Sequence, residues 1–401
     1  MSSPVKPSGT ETRSKPSLAP PSPSAPAARA AFPGSSRPHG GTGKLAPSLK
    51  SGGQSRGVRD YLYIVLLLAL VPLAISTFQS RVSVEEELIA TVKEHPEIIP
   101  QLKSLPEKAD IFDVLPEHRL RDAFLPRDSK LHWLFGILAA GIFFAIVATA
   151  FPTAMVQRLP LLGIGLLTAT VGVLLLLGVQ LAAKSTAGQI YIGFGLRAVI
   201  FYIIKFIGFS YQCADDPRNG FLLSFFGYTM GVGLCEELCK CLPLFFRIKH
   251  FATERRAPAN NWRSICLWGM ASGMGFGIAE GIMYSGNTYN GVSPASIYAV
   301  RFLSCVALHS IWAGSVGITM FNRQQSIDAA DKWYSMLFEL VLTISIAMTL
   351  HGLYDTLLKK DMDALALVAA VVSFGWFAFQ IETMRRSDPI ATSTRAAAMP
   401  T

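Results

Sequence analysis

Nine apolar runs constrain this chain more than any other feature; they lie near 61–78, 132–151, 160–183, 190–210, 221–246, 263–285, 296–320, 335–358 and 362–383. Most hold about 20 residues, the length that crosses about 30 Å of hydrocarbon as a helix. The expected fold is therefore all-α, a polytopic transmembrane helix bundle of about 8–9 spans. A hydrophobic content of 51% with 16% charged residues agrees, and excludes a large soluble core. The net charge of +9 gathers in the tail and the loops, as juxtamembrane basic residues do. No basic and aromatic surface accompanies it, so the implied partner is the lipid bilayer and not nucleic acid.

Composition divides the rest. Residues 1–59 are rich in Pro, Ser, Ala and Gly with almost no acid, a tail expected to be disordered. The 61–78 run reads as a first transmembrane anchor, because the tail is too long and Pro-rich for the start of a cleaved leader. Residues 79–130 read as a solvent-exposed helical insertion, opening on a Ser83-Val-Glu-Glu86 capping box and broken by prolines at 96, 100, 106, 116 and 126. It carries no binding motif, and a passive cap or spacer is the simplest role for it. Residues 131–384 form the membrane-embedded core and 385–401 a second tail.

Orientation poses a conflict. The basic tail and the basic loop from Arg247 to Arg263 both ask for the cytoplasmic side, yet five intervening spans would separate them. Either one run does not cross, or the anchor is removed, or one basic segment breaks the rule. The short loop is the better guide, since it agrees with the uncharged loop 286–295 opposite and with Arg385-Arg386.

Charges inside the spans begin in earnest at Gly231-Val-Gly-Leu-Cys-Glu236-Glu237-Leu-Cys-Lys240. A central acid or base costs about 2.5 to 3.5 kcal/mol on insertion scales, so such residues face protein or a wet cavity and mark function. Lys240 is four residues from Glu236 and three from Glu237 and can partner either. The two acids diverge by about 100° around the helix, which leaves one carboxylate free for other work. In the next span, Gly269, Gly273, Gly277 and Gly281 form a flat ridge for close helix approach, with Phe276, Glu280 and Tyr284 on an adjoining face. Arg301 and His309 follow, the latter in Ala-Leu-His-Ser-Ile-Trp-Ala-Gly314, then His351 and Asp355 four apart on one face. Two mid-span histidines accompanied by four acids point to a shared polar site. The Cys at 213, 235, 239, 241, 266 and 305 form no C-x-x-C pair and read as core packing.

Such charges also build ion and proton pathways, so an ion- or proton-coupled membrane carrier is the alternative reading. Against it, the acid and His pattern does not repeat between the two halves.

The ordered set Glu236-Glu237-x-x-Lys240, Phe276-x-x-x-Glu280-x-x-x-Tyr284, Arg301 with His309, and His351-Gly-Leu-Tyr-Asp355 resembles the PrsW family of intramembrane proteases, relatives of the CAAX-prenyl endopeptidases and bacteriocin-processing enzymes. The likeness covers roughly residues 190 to 358. It implies a multi-pass peptidase of a bacterial cytoplasmic membrane that cuts a membrane-anchored protein or peptide. Its catalytic centre would comprise Glu236, Glu237, Glu280, His309, His351 and Asp355, supported by Lys240, Tyr284 and Arg301. Asp355 departs from the Asn of the prenyl-endopeptidase branch, which bears on how His351 or an oxyanion is held.

Peptide hydrolysis needs an activated water and donors at the developing oxyanion. Glu236 is the preferred base, with Lys240 holding Glu237, the two histidines donating to the oxyanion and Asp355 orienting His351. Alternatively Glu280, His309 and His351, with or without Asp355, hold a zinc ion and the free Glu activates its water. No His-Glu-x-x-His motif occurs, and the two mechanisms stand level on sequence.

Overall fold

Hydrocarbon offers the backbone no partner, so an apolar run must close its hydrogen bonds within itself. The computed structural model accordingly contains helices and no strand among the residues it describes, 54–79, 82–106, 109–150, 158–253 and 261–387. The expected tails at 1–59 and 385–401 lie outside these, up to residue 53 and from residue 388.

The helices are α1 (Gln54–Ala69), α2 (Val71–Thr77), α3 (Val84–Glu94), α4 (Ile99–Ser104), α5 (Leu131–Thr149), α6 (Arg158–Leu167), α7 (Val173–Ser185) and α8 (Leu196–Asp215). There follow α9 (Phe221–Gly227), α10 (Leu234–Thr253), α11 (Trp262–Tyr284), α12 (Ala295–Ala299), α13 (Val306–Asn322), α14 (Gln324–Ala329), α15 (Trp333–Lys359) and α16 (Asp363–Arg386). Wide π turns at Thr168–Gly172, Tyr228–Gly233 and Val300–Cys305 join α6 to α7, α9 to α10 and α12 to α13, and another, Ser285–Tyr289, extends α11.

The central seam is α11 against α13. A Cβ on Gly273 would collide with the His309 carbonyl, and one on Gly277 would lie 2.8 Å from the His309 ring. The glycine ridge therefore brings α11 close enough to α13 to clamp His309. On the opposite face Gly275 meets the Gly165 carbonyl of α6. The six cysteines are free and buried, Cys266 and Cys241 in the main core.

The Ser83 and Glu86 capping box forms, with the Ser83 hydroxyl accepting from the Glu86 N–H at 3.1 Å and the Glu86 carboxylate accepting from the Ser83 N–H at 2.9 Å. The Ser83 N–H, ahead of the Ser83 side chain, lowers the Glu86 carboxyl from its usual value. Ile98, Leu115, Leu120 and Ala123 give the insertion a small core of its own. It rests on the turn between α11 and α12, where Leu120 N–H donates to Gly291 O and Gly291 N–H to Leu125 O, each at 2.8 Å.

These contacts define one face of the bundle, and packed neighbours carry the direction from helix to helix. Antiparallel α5 sets His132 beside Gly286, antiparallel α13 sets Gly317 beside Ile265, and Gly352 of α15 meets Thr229 just before α10. Chain direction then puts the end of α7 and the start of α9 on the insertion's face. The segment between them, α8 included, makes no net crossing, although α8 is long and apolar enough to span. Lys360 at the end of α15 confirms the level by donating to Asn219 O at 2.5 Å. Among the described residues seven helices are long and apolar enough to cross a membrane, α8 among them, and the shorter Tyr61–Thr77 helix and the charged α9–α10 helix run between the same two faces. The start of α1, the end of α10, the start of α11 and Arg385-Arg386 then share the opposite face. Of the three solutions to the charge conflict, the direction of the described helices supports a run that does not cross.

Candidate active site

The π turn Tyr228–Gly233 lies immediately ahead of Glu236 and Glu237, and Val300–Cys305 contains Arg301 and leads into His309. Such bulges recur at functional sites because they redirect side chains within a helix. Here the first also lets α15 approach, since a Cβ on Gly233 would lie 2.6 Å from Met348 O. That closeness sets His351 against the paired acids.

Lys240 is wholly buried and organises the centre. Its ammonium donates to Glu237 Oε1 at 2.7 Å, to Glu236 Oε2 at 3.3 Å and to His309 Nδ1 at 2.7 Å, and lies 4.6 Å over the Phe276 ring. An ammonium has three N–H donors and no acceptor, so all three are used and His309 Nδ1 must accept. The His309 proton is consequently on Nε2, which meets Glu280 Oε2 at 2.8 Å. Glu280 is held on its other side by Arg301 at 2.5 Å, whose guanidinium lies 4.2 Å over the Tyr284 ring.

His351 faces carboxylates at both nitrogens. Nδ1 is 3.0 Å from Glu237 Oε1, while Nε2 is 3.3 Å from Asp355 Oδ2 and 3.7 Å from Glu236 Oε2. Glu237 orients the ring from behind, and Asp355 and Glu236 share the side where chemistry is available. The structure thus brings together all nine residues singled out from sequence. It adds Trp312, stacked on the His351 ring at 4.4 Å, and Ser272, whose hydroxyl donates to Lys240 O at 2.7 Å and meets Thr168 Oγ1 at 2.8 Å. Trp312 was visible as the residue three past His309, on the same helical face; nothing in the sequence marked Ser272 or Thr168.

A cavity of about 780 Å³ opens beside the cluster, bounded by α7, α8, α10, α11 and α15. Glu236, Glu280, Arg301 and Asp355 line it, as do Tyr211 and Tyr228, whereas Glu237 is buried behind. The paired acids therefore divide as helical geometry requires, one to the cavity and one to the protein.

Glu236, His309 and His351 each offer a ligand atom, all within 4.8 Å of one another. A carboxylate with two imidazoles suits catalytic zinc by donor type, and Glu236 stands in this group where residue type alone pointed to Glu280. The disposition of His309 does not suit it. A neutral imidazole has one lone pair, and Lys240 takes it at Nδ1. Turning the metal to Nε2 would put a proton on Nδ1, leaving N–H and ammonium donors face to face at 2.7 Å. Glu236, His309 and His351 as arranged around a protonated Lys240 do not fit a metal.

Residues 182–380 match the family described as PrsW family intramembrane metalloprotease. No curated protein and no solved structure gives a match. The matched residues run from the last turn of α7 into α16 and contain every member of the buried cluster. With that cluster set among membrane-spanning helices, the chain is a multi-pass membrane protein whose residues 182–380 form a hydrolase domain of the PrsW family of intramembrane proteases.

Proposed function

We propose that the protein is an endopeptidase that cuts a membrane-anchored protein or peptide with a water activated by Glu236, in a cytoplasmic membrane. The observation that carries this reading is the division of the paired acids: Glu236 lines the cavity, while Glu237 is spent on Lys240 and His351. A water between Glu236 and a substrate carbonyl in the cavity passes its proton to the carboxylate as it attacks, and the same proton then reaches the leaving amine. The oxyanion forms on the side of His351 Nε2, where Asp355 keeps a donor proton in place. Arg301 holds Glu280, which fixes His309 and sets the wall opposite.

Basic residues cluster on the face opposite the insertion, and the positive-inside rule makes that face cytoplasmic. The α7 and α15 ends that flank the cavity lie on the other face, so the substrate segment is presented from there.

The test is cleavage, in membranes, of a library of single-span reporters by the native chain and by expression-matched variants. Glu236→Gln should lower kcat by about 10²- to 10⁴-fold, the usual contribution of a general base. Product formation by Glu236→Gln at the native rate would sink the assignment. Absence of product from every reporter, with proton-coupled uptake that dies in the same variants, would return the carrier.

A further inference from the structure

We infer that Lys240 is a positioning residue which sets the His309 tautomer and, by doing so, keeps divalent metal out of the site. The inference follows from donor counting at one buried nitrogen and is independent of which bond the protein cuts. Lys240 spends one proton each on Glu236, Glu237 and His309. The third fixes the Nδ1 lone pair and hence the Nε2–H that faces Glu280. Without the ammonium, His309 Nδ1 is released, and Glu236, His309 and His351 become three donors within 4.8 Å of one another, the number of protein ligands a catalytic zinc takes.

Charge alone would not create this exclusion. With both imidazoles neutral, as metal ligands must be, Glu236, Glu237, Glu280 and Asp355 face Lys240 and Arg301, a formal balance of minus two that a divalent ion would neutralise. What stands in the way is the occupied lone pair. The double variant Lys240→Met/Glu237→Gln separates the two effects, since it removes one charge of each sign and leaves the balance at minus two. Met keeps the length of the buried side chain, and Gln keeps an amide oxygen toward His351 Nδ1.

The experiment measures zinc content of detergent-purified protein by atomic emission, then zinc affinity by calorimetric titration. Chains compared are native, Lys240→Met/Glu237→Gln, and the same double variant with His309→Ala. The native chain should carry far less than one zinc per chain. The double variant should bind one, at least 100-fold more tightly than native, and lose it again with His309→Ala. Solid-state ¹⁵N NMR of histidine-labelled native protein should show a protonated Nε2 and an unprotonated Nδ1 for the resonance that disappears in His309→Ala.

One zinc per native chain that His309→Ala removes would overturn the inference, as would a double variant that is folded by thermal melt but binds no more tightly than native. If the double variant does not fold, the native zinc content and the His309 ¹⁵N shifts decide alone. Loss of reporter cleavage in Glu236→Gln bears on the proposed hydrolysis and leaves these metal measurements untouched, so the two can fail separately.

Discussion

The seam between α11 and α13 and the segment carrying α8 are both apolar, yet they use apolarity in opposite ways. In the seam, 83% and 89% of the hydrophobic windows are buried against protein; in α8 the figure is 17%. Ahead of α8, Ile192 and Phe194 are 97% and 100% exposed. The seam is built from glycines that remove side chains, so two backbones share one space. The α8 segment packs on the bundle along one narrow face, through Gly208, Ser210, Cys213 and Ala214, and turns its remaining large side chains outward. Hydropathy scores them alike because it measures transfer from water and is silent on whether the receiving medium is protein or lipid.

The largest contrast should come from charge at the seam. Lys240→Met alone takes the ammonium from Glu237 in the protein interior and from Glu236 at the cavity wall, and breaking a buried pair from one side costs about 3–5 kcal/mol. A fall in thermal stability of that size, with Phe194→Ser unchanged, is the expected outcome in matched detergent. Next comes Gly273→Ala, which forces the new methyl into the His309 carbonyl and should cost about 1–3 kcal/mol by overpacking, with kcat lowered as His309 shifts. Gly163→Ala, where a Cβ meets open space, is the control and should change neither.

Trp312→Leu removes the ring stacked on His351 and should lower stability by about 1 kcal/mol beyond the lost area. Its cleavage defect should appear in kcat more than in KM. A topological effect comes next. Ser185→Cys and Arg218→Cys flank the α8 segment and should react with an impermeant maleimide from one side of sealed vesicles, and Gln324→Cys from the other. Labelling of the first two from opposite sides would make α8 a true span and end the comparison.

The smallest effect is expected beside α8, at the exposed turn after it. Arg218 holds the Asp216 carboxyl down to about 2, chiefly through its side-chain hydrogen bonds. A depressed carboxyl contributes stability above its unfolded value of about 3.9 and loses it as pH falls toward the folded value. Native and Arg218→Ala proteins should therefore differ slightly in melting temperature at pH 6, native being higher, and converge as the pH falls through about 2.

Much of the site was legible because intramembrane charge is costly and so conspicuous. Glu236, Lys240, Glu280, His309 and His351 stand out against apolar neighbours, and helical spacing alone separates the two acids of the pair. The net direction of α8 was not legible from its own residues. Length and hydropathy admit it as a span, and its contradiction was written elsewhere, in two basic segments that nine crossings would have set apart. The π turns were also hidden, since one extra residue per turn alters no composition. The metal question turned on a hydrogen bond across 69 residues, from Lys240 to His309, which no local pattern encodes.

Six buried thiols have a consequence for handling this protein. Each is less than a tenth exposed, so alkylating reagents and mild oxidants should modify the folded chain far more slowly than the opened one. The native protein can then serve as its own blank for introduced single cysteines, and the appearance of reactive native thiols becomes a direct clock for opening of the bundle.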